Sequence, residues 1–299
     1  MFTQMQNPLV SVIIPVFNDS QRLKLCLDAL EKQTYPKYCY EIIVVDNASE
    51  ENTEDIVSQF SQVILAYESN PGSYAARNKG ISLAKGEIIA FTDSDCIPAQ
   101  DWIDKGVTRL LEAPDCGLVG GKIQLFFRNP DKLTLVELYE SVVAFPQKQY
   151  VQEIRFAVTA NLFTFKSVLE KVGYFDSNLK SRGDLEWGQR VFRAGYKQIY
   201  ADDVCVLHPA RYTFSQLHQK IQRVAGGIYD LKTEKSVLKN FKEVYRDLRP
   251  PIEFIFKYLP DIKLNGINKK FQFVYVVLFI HYVRAWENMQ LRLGANSKR

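Results

Sequence analysis

Gly86-Glu87-Ile88-Ile89-Ala90-Phe91-Thr92-Asp93-Ser94-Asp95-Cys96 decides how the rest of this chain folds. An apolar run rich in Ile and aromatic residues predicts a buried strand. It closes in two carboxylates separated by one small residue. If the strand continues through them, its alternation sets Asp93 and Asp95 on one face. Two carboxylates on one side repel unless a cation or hydrogen-bond donors lie between them. Oxygen ligands of this kind favour Mg²⁺ or Mn²⁺, with phosphate oxygens completing the shell. Asp-Ser-Asp is also ordinary turn chemistry, and Asp95 could start the next helix as its N-cap.

Upstream, the same design recurs. Leu9 to Asn18 is an apolar run closed by Pro15 and Asn18, a core strand ending in a loop. Asp19 or Ser20 can cap the following helix, whose apolar face is Leu23, Leu25, Leu27 and Leu30 with Cys26 between. Tyr40 to Ser49 is a β-branched strand ending in Asp46, followed by a helix over 51–60 and a short strand from Val63 to Tyr67. Strands alternating with helices at this spacing predict an α/β fold with a parallel, helix-covered sheet. Such sheets bind ligands beyond the carboxyl ends of their strands, where Asn18, Asp46, Asp93 and Asp95 all fall. Asp46 suits a grip on a ribose or base, or the capping of its own turn. There is neither a Gly-x-Gly-x-x-Gly after the first strand nor a P-loop, so a dinucleotide cofactor and a P-loop nucleotidase are not indicated.

Asn70 to Gly80 is a Gly-containing loop opening a helix. Arg77 and Lys79 there could meet a diphosphate, or Arg77 could pair with a helix neighbour. Downstream, Cys116–Gln124 reads as a strand crossing the sheet. Residues 130–155 read as helical, with Tyr139, Phe145 and Tyr150 packing in the core or stacking on a ligand. A helix over 166–172 follows, then Ser181-Arg182-Gly183-Asp184-Leu185-Glu186-Trp187-Gly188-Gln189-Arg190. Gly183 frees the backbone before Asp184, which can cap the helix beyond. A last short strand ends in His208.

These blocks, in this order, resemble family 2 glycosyltransferases of the inverting GT-A type over residues 8–212. The carrying residues are Val12-Ile13-Ile14-Pro15-Val16-Phe17-Asn18, Val45-Asp46-Asn47-Ala48-Ser49, Ala76-Arg77-Asn78-Lys79-Gly80, Asp93-Ser94-Asp95, and Asp184 with Arg190. The resemblance implies a GT-A fold: a mostly parallel central sheet with helices on both faces. It implies a nucleotide-diphosphate sugar donor and a divalent cation, Mn²⁺ or Mg²⁺. By position, Pro15, Phe17, Asn18 and Asp46 would line the nucleoside pocket, with Arg77 beside the nucleotide or its phosphates. Asp93, with Ser94, would face the donor's ribose or sugar. Asp95 would bind the metal, and His208 stands where several members place a third ligand. Asp184 would be the general base, with Glu186 and Asn161 as acceptor contacts. Gly183 departs from the pattern, which has an acidic residue there. Transfer to a hydroxyl acceptor, a glycan or lipid-linked, is the expected activity. A nucleotidyltransferase would instead need a basic Gly-rich loop after the first strand. A degenerate, non-catalytic binder would not need Asp93, Asp95 and Asp184.

The 299 residues, 46% hydrophobic and 24% charged, allow a sizeable α/β core and exclude low-complexity classes. We expect a transferase domain over 1–227 and a helical C-terminal extension over 228–299. Met1–Asn7 has no signal-peptide pattern, and five widely spaced cysteines suggest reduced thiols in a cytoplasmic protein. Net charge is +4. Residues 211–299 hold 17 Lys and Arg against 7 Asp and Glu, a balance of +10 that leaves −6 for the rest. That asymmetry suits a solvated helical surface, or an anionic membrane neighbour on the inner face. No nucleic-acid motif accompanies it. Phe271–Val283 is apolar but shorter than the roughly 20 residues of a span, so a buried or interfacial helix is expected.

Overall fold

The computed structural model describes residues 7–113, 115–230 and 247–297. The expectations for Met1–Gln6, and parts of those for the C-terminal extension, lie outside these residues. Internal packing forms two compact units. The first comprises Met1–Gln124, Phe145–Asn178 and Gly183–His208; the second comprises Leu125–Ala144, Leu179–Arg182 and Pro209–Arg299. The described residues of the expected extension 228–299 fall in the second.

In chain order the first unit begins β1 (Val10–Val16), α1 (Ser20–Leu30), β2 (Tyr40–Asp46), α2 (Thr53–Val57), β3 (Val63–Tyr67), α3 (Ser73–Leu83) and β4 (Ile88–Thr92). It continues with β5 (Ile97–Pro98), α4 (Trp102–Leu111) and β6 (Cys116–Phe126). The chain runs on through α5 (Leu135–Val143) and α6 (Gln147–Gln149), then a π-turn at Tyr150–Ile154, β7 (Asn161–Phe165), α7 (Lys166–Val172), α8 (Gly183–Arg193) and β8 (Lys197–Pro209). The sheet order is β3-β2-β1-β4-β7-β6-β8-β5. The first four strands pair in parallel, while β7 is antiparallel to β4 and β6, and β5 to β8. The sheet is therefore mixed, with a parallel half that matches the strand–helix alternation.

Every residue of β1 is buried, so this strand is sheet centre. Its Val and Ile side chains each contribute about 1.5–3 kcal/mol by leaving water. Leu23, Cys26, Leu27 and Leu30 of α1 pack on it, whereas Leu25, expected on that face, is exposed. The helix expected over 51–60 is shorter, with Thr53–Val57 helical and Phe60 buried beyond it. Gly86 opens the deciding stretch because a Cβ there would lie 2.5 Å from the Ser11 backbone nitrogen. In its place, the Gly86 amide bonds Ser11 Oγ at 2.8 Å.

β4 ends at Thr92, and Asp93–Asp95 forms a turn closed by the Cys96 amide on the Asp93 carbonyl at 3.1 Å. The strand-alternation reading of Asp93 and Asp95 is thus corrected: the turn, not the pleat, sets their directions. Asp95 is no N-cap either, since the next helix starts at Trp102 after Asp101.

The second unit holds α5, then α9 (Phe214–Asp230), α10 (Ile252–Tyr258) and α11 (Ile267–Arg292). Val136, Leu217, Ile221 and Val276 form one apolar cluster, and Leu138, Leu264, Phe273 and Val277 another. On α5, Glu140, whose side chain is fully enclosed, accepts from Arg211 Nη1 at 3.0 Å and Lys220 Nζ at 3.1 Å.

Candidate active site

Because β1, β2 and β4 run parallel, their carboxyl ends deliver Asn18, Asp46 and Asp93 to one edge. The loops there are stitched together. Asn18 Oδ1 accepts from the Glu50 amide at 2.8 Å, and Ser49 Oγ from the Asn18 amide at 3.0 Å. Asp46 Oδ1 accepts from the Ser49 amide at 2.7 Å, the turn-capping role. Asn47 bonds the Glu68 and Asn70 carbonyls and the Gly72 amide, tying the third loop in. Asn18 and Ala48 sit at φ 48° and 62°. Asn tolerates that left-handed region, but Ala pays about 1–2 kcal/mol there, so the surrounding bonds hold a strained rim. Pro15 is buried within β1, while Phe17, 60% exposed, stands out at the rim.

Arg77, on α3, is buried and its Nη2 binds Asp93 Oδ1 at 2.5 Å. Arg77 therefore reaches the edge through Asp93. Ser94 Oγ donates to Asp19 Oδ2 at 2.8 Å, and Asp19 Oδ1 accepts from Arg22 Nε at 2.5 Å. Arg22 Nη1 in turn lies 3.6 Å from Asp95. Burial pushes the Asp19 carboxyl up despite its Arg22 partner. Asp19 and Arg22 were missed as site residues in the sequence. Their signal was an acid–Arg pair at i, i+3 directly behind Asn18.

The short β5–β8 ladder pairs Ile97 with Leu207, which sets His208 across from Cys96 and beside Asp95. His208 Nε2 lies 3.7 Å from Asp95 Oδ1, too far for a hydrogen bond, and the imidazole packs on the Phe145 ring at 4.6 Å. Asp95, Cys96 and His208 each offer a donor atom within 4.8 Å of the others. Cys96 is a poor third ligand for a hard ion: it is fully buried, and its soft sulfur suits Mn²⁺ or Mg²⁺ less well than oxygen does. The carboxylate and imidazole that remain fit a Mn²⁺- or Mg²⁺-class ion that fills its shell with ligand oxygens.

Asp184 sits in the first turn of α8. Oδ1 accepts from the Leu185 amide at 2.9 Å and from the Tyr74 hydroxyl at 3.4 Å. Burial pushes its pKa up, opposed by the Leu185 amide and Arg77. Two residues expected to meet the acceptor are committed elsewhere. Glu186 is gripped by Arg190 at 2.7 and 2.9 Å, and Arg190 also holds the Val172 and Tyr174 carbonyls. Asn161 is a correction: it is fully buried, bonded to Trp102 Nε1 and the Lys122 and Val204 carbonyls, and has no face for an acceptor.

An acid-rich edge behind a half-parallel sheet, with a His from a returning strand, defines a nucleotide-sugar transferase fold of the GT-A type. The comparisons agree. The family model described as Glycosyl transferase family 2 matches residues 11–173. Glycosyltransferase AglE of Haloferax volcanii is 42% identical over 225 residues, 74% of this chain and 73% of that one. A mannosyltransferase from Pyrobaculum calidifontis, solved with GDP-Man and Mn²⁺, covers 98% of this chain and 77% of its own at 18% identity and a TM-score of 0.59. TarS of S. aureus, solved with UDP, covers 97% and 93% at 17% identity and a TM-score of 0.52. The chain belongs to glycosyl transferase family 2, and it is a glycosyltransferase.

Proposed function

We propose that this enzyme transfers a sugar from a nucleotide-diphosphate donor to a hydroxyl acceptor, inverting the anomeric centre and depending on a divalent cation. The observation that carries the reading is Asp184. Among the described residues both of its hydrogen bonds fall on Oδ1, which leaves Oδ2 for the acceptor. Asp184 takes the hydroxyl proton as the acceptor oxygen bonds the anomeric carbon and the carbon–diphosphate bond breaks. A base with a raised pKa stays useful near neutrality and is a stronger proton acceptor than a free Asp.

Asp95 and His208 would hold the cation. Bound there, Mn²⁺ or Mg²⁺ would neutralise charge on the leaving diphosphate. The Mn²⁺ and GDP-Man of the Pyrobaculum neighbour and the UDP of the S. aureus neighbour point to the same ligand classes. The exposed Phe17 ring stacks on the nucleobase, while Pro15, Asn18 and Asp46 shape its pocket and Asp93, with Ser94, meets the ribose or sugar.

The acceptor is a glycan or a lipid-linked sugar, and the enzyme works on an anionic membrane surface. What supports the surface is α11, where exposed Ile267, Phe271, Tyr275, Tyr282 and Trp286 share one face at 100° per residue, near exposed Lys269 and Lys270. Among the described residues no helix is long and apolar enough to cross a membrane. The test is transfer from a panel of nucleotide sugars with Mn²⁺ or with EDTA. Turnover with one donor that EDTA abolishes supports the reading, and metal-independent turnover defeats it.

A further inference from the structure

Gly183 stands just before Asp184, where an acidic residue was expected. Backbone freedom does not explain it, because its φ lies outside the left-handed region. Space does. A Cβ on Gly183 would lie 2.8 Å from Tyr74 Cε2 and Cζ and 2.9 Å from Cδ2, closer than real side chains pack. The Tyr74 ring has nowhere to go. It is buried, stacked on Phe175 with centroids 5.7 Å apart, and flanked by the Arg77 guanidinium at 5.7 Å. Phe175 is fixed in turn against Phe91 at 5.5 Å and Trp187 at 5.4 Å. Among the small residues of Gly72-Ser73-Tyr74-Ala75-Ala76 this one large ring fills the place that a side chain at 183 would take.

The ring also carries a hydroxyl whose hydrogen bond goes to Asp184 Oδ1, at 3.4 Å. That is longer than the roughly 2.5–3.0 Å of a mature hydroxyl–oxygen bond. Catalytic contacts often start this long and tighten when substrate fills the site. Burial, together with the Asp184 charge, pushes the phenol far up, so it remains a donor across the working range. Packing alone would be served by Phe.

We propose that Tyr74 is a positioning residue for Asp184: seated against the Cα of Gly183, it holds the carboxylate by Oδ1 and leaves Oδ2 for the acceptor hydroxyl. The proposal rests on the reading of Asp184 as base. Gly183 is then the steric counterpart of Tyr74 rather than a lost acid.

Tyr74→Phe keeps the ring and removes the O–H. We expect kcat to fall about tenfold, the worth of one such bond, with donor KM unchanged. The acid limb of the kcat profile should move to higher pH. The phenol's bond favours ionised Asp184, so its loss raises that pKa. The other groups facing Asp184 are Arg77 from α3, which lowers the pKa, and Asp93 after β4, which raises it, and both stay in place. A kcat and a pH profile like the wild type's would overturn the proposal.

Gly183→Ala tests the steric half. It should lower kcat about tenfold or more alone, and far less beside Tyr74→Ala. Equal losses in both backgrounds would overturn the pairing. Asp184→Asn, assayed alongside, separates the claims. If it turns over normally, the base reading fails. If it is inactive while Tyr74→Phe behaves as wild type, only the positioning role fails.

Discussion

Arg77 Nη2 lies 2.5 Å from Asp93 Oδ1, with the arginine side chain 4% exposed and the aspartate 30%. The arginine thus works from behind the sheet edge, aiming a carboxylate that the solvent can reach. Arg77→Ala removes one partner of a mostly buried pair and should cost about 3–5 kcal/mol in unfolding free energy. Donor kcat/KM should fall about a hundredfold, since Asp93 loses its aim. Arg77→Lys should recover less than half of either loss, because an ammonium lacks the fork. Chemical denaturation and steady-state kinetics check both.

Asp184 gives a prediction with a sign. Its folded pKa is raised, so the folded state holds a proton that the unfolded chain has released once pH passes the ordinary Asp value. Stability therefore falls as pH rises through the window between the two values. Asp184→Asn, which carries no charge, should melt higher than the wild type at neutral pH, with the gap closing toward the ordinary Asp range. Turnover should be lost while nucleotide binding is kept. Melting curves over pH check the first part, and a variant less stable than wild type at pH 7 would contradict it.

Glu140 has the opposite sign. Lys220, Arg211 and the Arg211 amide hold its carboxyl low, against the desolvation that opposes them. Its contribution is present above the ordinary Glu pKa and is lost as pH falls through the folded value. Glu140→Ala strands Lys220 and Arg211 without this carboxylate and should cost about 3–5 kcal/mol. Denaturant titration checks it.

Trp286 and Phe271 should carry the membrane contact of α11. Flotation with vesicles containing anionic lipid should retain the wild type and release the Trp286→Ser, Phe271→Ser double variant. Raising salt should weaken retention. Equal flotation of both forms would contradict the assignment.

Much of this was legible in the sequence. β-branched runs that end in Asn18, Asp46 and Asp93 gave the parallel half of the sheet, and the sheet gave the edge. The strand reading of Asp93 and Asp95 failed because periodicity does not mark where a strand stops. Thr92 ends the ladder opposite Asn161, and a turn bond takes over. Asn161 looked available because an amide in a strand is ambiguous until its neighbours are known, and here three of them consume it. Asp19 and Arg22 pair locally, but their links to Ser94 and Asp95, like that of Tyr74 to Asp184, join segments far apart in the chain. Their roles are tertiary, and one sequence carries no distance. The same holds for Gly183, whose need for space is set by a ring more than 100 positions upstream.

The reading turns on a proposed metal-assisted donor site at Asp95 and His208. Thermal stability against nucleotide diphosphates, with Mn²⁺ and then with EDTA, tests it most directly in the wild type and in Asp95→Ala. Anything that binds only the folded state raises the melting point. One nucleotide should stabilise the wild type with Mn²⁺, and that rise should vanish in EDTA and in Asp95→Ala. An equal rise in EDTA, or in Asp95→Ala with Mn²⁺, would contradict it.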